Sequence, residues 1–462
     1  MTGTAEPALA SPPPEPASAP APPEPAPALA PGSASALPPP ENSGATLFAA
    51  RPSLIRAMNE QLLLEHIRAS GPCSRADLAR VSGLSKPTVS LALANIERAG
   101  LVQLAGQRTG VPGRSALLYE IRPEAGFVLG LDIGLKYLHG AVADLAGVVR
   151  ARLSLPVTAM SVADRVTELV RLADEVCAQA GIERTAVTQT VVGSPGIYDP
   201  NRNVMALTGG LPDWDRPEAL TRLREAFGPS LAIENDVDAA ALAERAHGHG
   251  RDVDDFAFVH VGTGIGMGVV LGGRLHRGAH GVAGEIAFMP LGGAGLDPGP
   301  SPGPSPSPAP GPAHSAGGGP PDDRVDPEET RRRGILETVA AADGIVRAAA
   351  RAGMPAPLSA RTVFEAAASG DERASAVVAR EARLVASAIC CVITVLDPAL
   401  IVLGGGVGQA PGFAEAVTKE LSALAPVLPE VRVSALGTDV VVDGCLAEGT
   451  SLAWGQLTWE VS

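Results

Sequence analysis

Ser74-Arg75-Ala76-Asp77-Leu78-Ala79-Arg80-Val81-Ser82-Gly83-Leu84-Ser85-Lys86-Pro87-Thr88-Val89-Ser90 reads as two short helices meeting at a tight turn. Ser74 stands three residues before Asp77, the spacing of a capping box, and opens a helix through Val81. Ser82-Gly83 supplies the turn. Ser85 caps the next helix, where Pro87 is tolerated because the first turn has no N–H partner to lose, and Val89, Leu93 and Ile96 form the apolar stripe. Lys86, Thr88 and Ser90 are left facing outward at its start. A helix opening with small hydroxyls and a cation after a glycine turn has the geometry that sets its first turn against base edges in a DNA major groove.

The flanks complete that unit. Upstream, a helix is expected from about Asn59 to Ala69, with Met58, Leu62, Leu63 and Ile67 on its apolar side and Gly71-Pro72 ending it. Downstream, Leu101 to Leu104 and Leu117 to Ile121 read as strands around a glycine-rich loop that carries Arg108 and Arg114. This is a winged helix-turn-helix pattern over residues 51–122, its wing arginines suited to phosphates or a minor groove. The segment holds ten basic residues against five acidic ones, a local charge of +5 in a chain of formal charge −14. The alternative for the same pattern is a small helical domain used for protein contacts.

The whole chain has 462 residues, enough for two or three domains, and at 45% hydrophobic and 19% charged most of it has the material for a packed core. Outside residues 51–122 the charge is −19, which argues against wholesale coating of nucleic acid or anionic lipid. Residues 1–50, rich in Ala, Pro and Ser without Lys or Arg, are expected to be a disordered tail rather than a signal or anchor. A second Pro/Gly stretch at 292–327 reads as a surface insertion. The longest apolar run, Leu384 to Leu396, is too short to span a bilayer. Cys73, Cys177, Cys390, Cys391 and Cys445 are scattered and odd in number, which suits a reduced cytoplasmic protein without disulfides. Cys390 and Cys391 are expected to fill core, Trp214 to pack a loop, and His247, His249, His276 and His280 to be solvated rather than metal-bound.

From Gly126 onward strands alternate with helices, an α/β arrangement. Three elements follow expected strands: Asp132-Ile133-Gly134, Gly262-Thr263-Gly264-Ile265-Gly266-Met267-Gly268, and Gly404-Gly405-Gly406-Val407-Gly408. Glycine there lets backbone N–H groups approach an anion, or merely lets the chain turn sharply. Taken in order with Ala141 to Gly147, Ser194-Pro195-Gly196, Glu234-Asn235-Asp236 and Gly284-Glu285-Ile286, and with the winged helix in front, they resemble the repressor branch of the ROK family of repressors and sugar kinases. The resemblance covers nearly everything from Arg51 onward. It implies an actin-like (ribonuclease-H-like), two-lobed ROK domain over residues 123–462, fused to a DNA-binding domain, and a homodimer or homotetramer that answers to a sugar.

Family kinases carry Asp-x-Gly-Gly-Thr at the first phosphate loop, whereas Leu135 and Lys136 stand at the last two positions here, crowding the nucleotide approach and removing the hydroxyl. Asp236 matches the family's catalytic base and equally serves sugar binding. By the same resemblance Asn235, Asp236, Glu285 and Glu337 are the effector-binding candidates, suited to sugar hydroxyls. The family's zinc ligands fall on Phe288, Glu328, Thr330 and Ile335, so no metal or other cofactor is expected. The resulting expectation is a cytoplasmic regulator of carbohydrate genes that binds a double-stranded DNA operator, with Ser85, Lys86, Thr88, Ser90, Arg108 and Arg114 as DNA contacts. The alternatives are an ATP-dependent ROK sugar kinase with an accessory DNA-binding domain, and a ligand-independent regulator or scaffold.

Overall fold

Ser74 and Asp77 form the capping box that their spacing implies: the Asp77 N–H donates to Ser74 Oγ and the Ser74 N–H to the Asp77 carboxylate, both at 3.2 Å. In the computed structural model, which describes residues 52–108, 116–199, 203–208, 211–291 and 327–460, this cap opens α2 (Arg75–Ser82). Gly83 ends α2 in the left-handed region at φ 70°, which only glycine adopts without strain, and Ser85 caps α3 (Lys86–Arg98). Helix α1 (Pro52–Ser70) precedes them, and β1 (Cys73–Ser74), β2 (Val102–Arg108) and β3 (Ala116–Ile121) form a sheet in the order β1-β3-β2.

Two expectations need correction here. Helix α1 starts at Pro52 rather than Asn59, and its buried face is Ala57, Glu60, Leu63, Leu64 and Ile67, leaving Met58 exposed and Leu62 half-buried. The face turns because α1 packs on α3, β3 and the last helix of the chain. Strand β2 runs past Leu104 to Arg108, its register shifted between Leu104 and Gly106, where Gly106 takes φ 135°.

Beyond the wing the chain builds two five-stranded sheets on one plan. In the first, β4 (Phe127–Ile133), β5 (Tyr137–Asp144) and β6 (Val149–Pro156) are antiparallel. Helix α4 (Val162–Gln179) then leads to β7 (Val187–Ser194), and the small hairpin β8 (Ile197–Asp199) and β9 (Val204–Ala206) with α5 (Pro217–Phe227) leads to β10 (Leu231–Asn235). Strands β7 and β10 run parallel to β4, giving the order β10-β7-β4-β5-β6. After α6 (Asp236–His247), β11 (Phe256–Val261), β12 (Ile265–Leu271) and β13 (Arg274–Leu275) repeat the antiparallel meander. Helices α7 (Pro327–Arg333), α8 (Ile335–Ala340), α9 (Ala342–Arg351), α10 (Ala360–Ala368) and α11 (Glu372–Leu396) precede β14 (Leu400–Gly404). Helices α12 (Gly405–Gly408) and α13 (Phe413–Leu424) lead to β15 (Glu430–Val433), and α14 (Val440–Glu460) closes the chain. Strands β14 and β15 run parallel to β11.

Helix α6 packs on β11 and β12, α14 packs on β4 and β7, and the two helices pack on each other, so they form a layer between the sheets. The second sheet's other apolar face is covered by α8 to α11 and α13 around Val259, Val385, Ile389 and Phe413. Within α11, Cys391 is exposed, correcting the expectation that both cysteines fill core, while Cys390 is half-buried against the cluster; α11 buries Val385, Ala386, Ile389 and Ile393 instead. Trp214 is buried and donates to Ser194 Oγ at 2.9 Å. No helix among the described residues is long and apolar enough to cross a membrane. Residues 1–50 and nearly all of 292–327 lie outside the described residues.

Candidate functional site

The head of α3 is a helix N-terminus capped by Ser85 with no acidic residue in its first turn. Ser85 Oγ accepts from the Thr88 N–H at 3.3 Å, and the two hydroxyls are 2.8 Å apart. Ser85, Lys86 and Ser90 are exposed, while Thr88 is half-buried with its hydroxyl engaged by Ser85. Behind this surface Val89, Ala92, Leu93 and Ile96 are buried, and the Asn95 amide donates at 2.7 Å to Glu60, a fully buried carboxyl on α1. Arg108 closes β2 and lies 3.0 Å from the Asp77 carboxylate. Hydrogen bonds from Ser74, helped by Arg108, hold that carboxyl down to about 2. Arg75 stacks over Tyr119 with its guanidinium carbon 5.1 Å from the ring centre. Arg114 lies outside the described residues.

A second constellation lies where β4, β10 and α6 meet the loop after β13. Asn235 caps α6: its Oδ1 accepts from the N–H groups of Val237 and Asp238 at 2.9 and 3.0 Å, and its Nδ2 donates to Gly196 O at 3.0 Å. Asp236 Oδ1 accepts from the Val237 N–H at 2.9 Å. Burial, followed by the charges of Asp236 and Glu337, raises the Glu285 carboxyl to about 7. Burial, followed by Asp236 and Asp439, raises Asp132 on β4 to about 8. Glu285 thus lies close enough to Asp236 and Glu337 to feel both their charges. Glu337, however, is committed: its Oε2 accepts from the Ile265 N–H at 3.0 Å and its Oε1 from Arg333 at 2.8 Å. It ties α8 to the glycine loop, and Gly264 has no side chain because a Cβ there would lie 2.8 Å from Glu337 Oε2.

Three glycine-bearing turns follow strands here. The turn Gly134-Leu135-Lys136 is held by Arg165, which donates to Gly134 O at 2.9 Å, and it presents Leu135 and Lys136 outward. At the end of β11 the His260 ring fills the space between the other two loops: a Cβ at Gly262 would lie 2.7 Å from its Nε2, and one at Gly405 3.0 Å from its Cε1. Burial pushes His260 below the usual imidazole range, so it stands there neutral.

Residues 128–437 match the ROK family, and residues 59–115 match the MarR family. The chain belongs to the ROK family. The xylose repressor of Bacillus spizizenii is 26% identical over 251 residues, which is 52% of this chain and 62% of the repressor. The N-acetylmannosamine kinase of Citrobacter koseri is 33% identical over 309 residues, 66% of this chain and 92% of the kinase. A crystal structure described as a ROK family transcriptional regulator, homolog of the E. coli MLC protein, superposes with a TM-score of 0.68 at 24% identity, covering 88% of this chain and 99% of its own, and supports the fold. The chain spans about three fifths of the length of the repressors it matches.

The ROK assignment makes the zinc positions testable. Gly334 lies against the Ala287–Phe288 turn, where any Cβ would collide with Ala287 O, so the stretch read as the family's cysteine motif does abut Phe288. The donor set does not fit a tetrahedral zinc, because Phe288 and Ile335 offer no donor atom and Glu328 and Thr330 offer only oxygen. Among the described residues no group of three His, Cys, Asp or Glu is arranged to hold a metal ion. Sequence reasoning missed Asp132 as a site acid, His260 and Arg277. A histidine two residues before a glycine loop was the available signal for His260 and the Asp132-Ile133-Gly134 motif that for Asp132; nothing local marks Arg277.

Proposed function

We propose that this ROK protein is a cytoplasmic, sequence-specific DNA-binding transcriptional regulator of carbohydrate genes, modulated by a sugar or sugar derivative, and that it is not an enzyme. The observation that carries this reading is the pairing of a capped α3, with Ser85, Lys86 and Ser90 exposed at its head beside a wing, with a ROK body that carries Leu135 and Lys136 where family kinases carry Gly and Thr. In the reading, a homodimer or homotetramer presents copies of α3 to a two-fold related operator. Ser85, Lys86, Thr88 and Ser90 meet base edges and the nearby backbone, the N-terminal N–H groups of α3 favour a phosphate, and Arg108 and Arg114 hold phosphates or the minor groove. Arg108 exchanges Asp77 for DNA as it does so.

Asn235, Asp236, Glu285 and Glu337 form the effector site. A carboxyl raised to about 7, such as Glu285, both donates and accepts near neutral pH, which suits a sugar hydroxyl. Because relatives are named xylose repressors, D-xylose is the first sugar to test. Thr88→Ala is expected to weaken binding to the preferred operator by about 1–3 kcal/mol while leaving random DNA nearly unchanged; equal losses on both refute the base-contact role. Arg108→Ala is expected to weaken both alike and to make the salt dependence shallower.

The kinase reading retains Asp236, the intact loop from Gly262 to Gly268 and a kinase relative. Genome-wide capture of bound fragments, run beside ATP turnover on a sugar panel, separates the two. A shared operator with no turnover supports the regulator, and turnover without DNA binding reverses the conclusion.

A further inference from the structure

Arg277 stands in the loop that leaves β13 and carries Glu285 back to the sheet. Its backbone carbonyl accepts from Ala283 N–H, so the side chain and Glu285 belong to one ordered turn. The guanidinium reaches out of that loop in two directions. It binds the buried Glu234 carboxylate at the end of β10 with both Nε and Nη2, and Nη2 also donates at 3.1 Å to Glu448 on α14. Glu234 immediately precedes Asn235 and Asp236, so Arg277 joins both halves of the carboxylate site and connects them to the last helix.

Helix α14 continues from that contact into the DNA-binding unit. Trp454 lies six residues beyond Glu448, about 9 Å along the axis at 1.5 Å per residue. Its ring belongs to the same buried cluster as Leu63, Leu64, Ile67, Leu93 and Ile96, and its indole N–H donates to Leu145 O at 3.1 Å. Ser451, Trp454 and Gly455 line a small cleft of about 180 Å³ against Gln61, Leu64, Glu65 and Arg68 of α1. One turn before Leu64 on α1 is Glu60, whose carboxylate holds Asn95 of α3. A continuous set of contacts thus runs from the effector loop through one rigid helix to the helix that faces DNA. Contiguity allows coupling; a measured coupling is what establishes it.

We propose that Arg277 and Glu448 are the positioning pair that couples occupancy of the carboxylate site to α3, with α14 as the transmitting element; this rests on the regulator reading. A ligand that shifts Glu285 shifts its loop, alters the hold of Arg277 on Glu448, and so moves the seat of α1 on α14.

The experiment measures operator affinity of the full chain with and without saturating D-xylose, and D-xylose affinity separately, for the wild type, Glu448→Gln and Trp454→Phe. The wild type is expected to lose operator affinity by about 10-fold or more with the sugar. Glu448→Gln is expected to keep both separate affinities within about twofold while the sugar effect shrinks to less than about twofold. Trp454→Phe, which keeps an aromatic ring in the cluster and loses the indole donor, is expected to reduce the effect in the same way. A structural role alone lowers stability without separating these three quantities. Full sugar responses in both variants overturn the coupling and leave the regulator reading standing. A wild type that binds D-xylose without any change in operator affinity overturns the coupling as well, and one that binds no DNA overturns both.

Discussion

Gly444→Ala is expected to destabilise the protein by about 3 kcal/mol or more, at the upper end of what forced overpacking costs. Gly444 lies where α14 crosses α6, and a Cβ there would collide with the carbonyl of Ala239 in the α6 backbone. Backbone has no rotamer through which to yield, so one helix must move bodily. Neither is free to do so. Gly449, one turn further, already approaches Val128 and Val191 of the first sheet, and Gly193 is pressed by Val441 and Cys445 from α14. At roughly 2 °C per kcal/mol for a chain of this size, the melting temperature falls by about 6 °C or more. Gly455→Ala on the same helix is the control. Nothing lies within 4 Å of its added Cβ, so it is expected to leave stability unchanged or raise it by about 0.5–1 kcal/mol through helix propensity. Equal melting temperatures for the two variants would mean that α6 and α14 do not meet as described.

The winged-helix unit was legible because its signals are local. A capping box, a left-handed glycine and an apolar stripe each act within one or two turns, and the structure places all three where the sequence put them. What the sequence hid there is tertiary. The face that α1 buries is set by α3, β3 and α14, so Met58 emerges and Glu60 goes in, held by an asparagine 35 positions away. The body shows the same division more strongly. Its two sheets repeat one strand plan, yet a single helix links β6 to β7 whereas five described helices stand between β13 and β14, so no fixed period survives in the sequence. The resemblance named Asp236, Glu285 and Glu337 as one set, and Glu285 feels the charges of the other two. The resemblance carried no information on Glu337 being bound to Ile265 N–H and Arg333, or on Arg277 reaching Glu234 and Glu448, because those partners lie from four to 171 residues away.

The acids around the site also set how stability responds to pH. Asp132 and Asp238 are raised to about 8, Glu285 to about 7, and Asp236 and Glu234 are raised as well, burial being the first cause in each. A raised carboxyl keeps its proton in the folded chain at pH values where the unfolded chain has released it. The folded state then binds more protons, and stability falls as pH rises through the interval between the two values. His139 and His260 act in the opposite sense: burial lowers both, so unfolding takes up protons below about 6.5 and stability rises with pH there. Asp77, held down to about 2, acts only in stronger acid. The histidines offset part of the acid effect below about 6.5, and above it the carboxyls act alone. Stability is therefore expected to decline from about pH 5 to about pH 8.5, each acid contributing up to about 1.4 kcal/mol per pH unit while it titrates. Asp238→Asn tests the cause, since Asp238 is buried with Oδ1 unpartnered on the flank of the site. Thermal unfolding between pH 6.5 and 8.5 is expected to show a shallower decline for the variant than for the wild type. The slope is the readout because the amide alters local hydrogen bonding equally at every pH. Parallel declines in the two proteins would remove Asp238 from the explanation, and a wild-type curve rising through this interval would mean that these carboxyls are ionised in the folded chain.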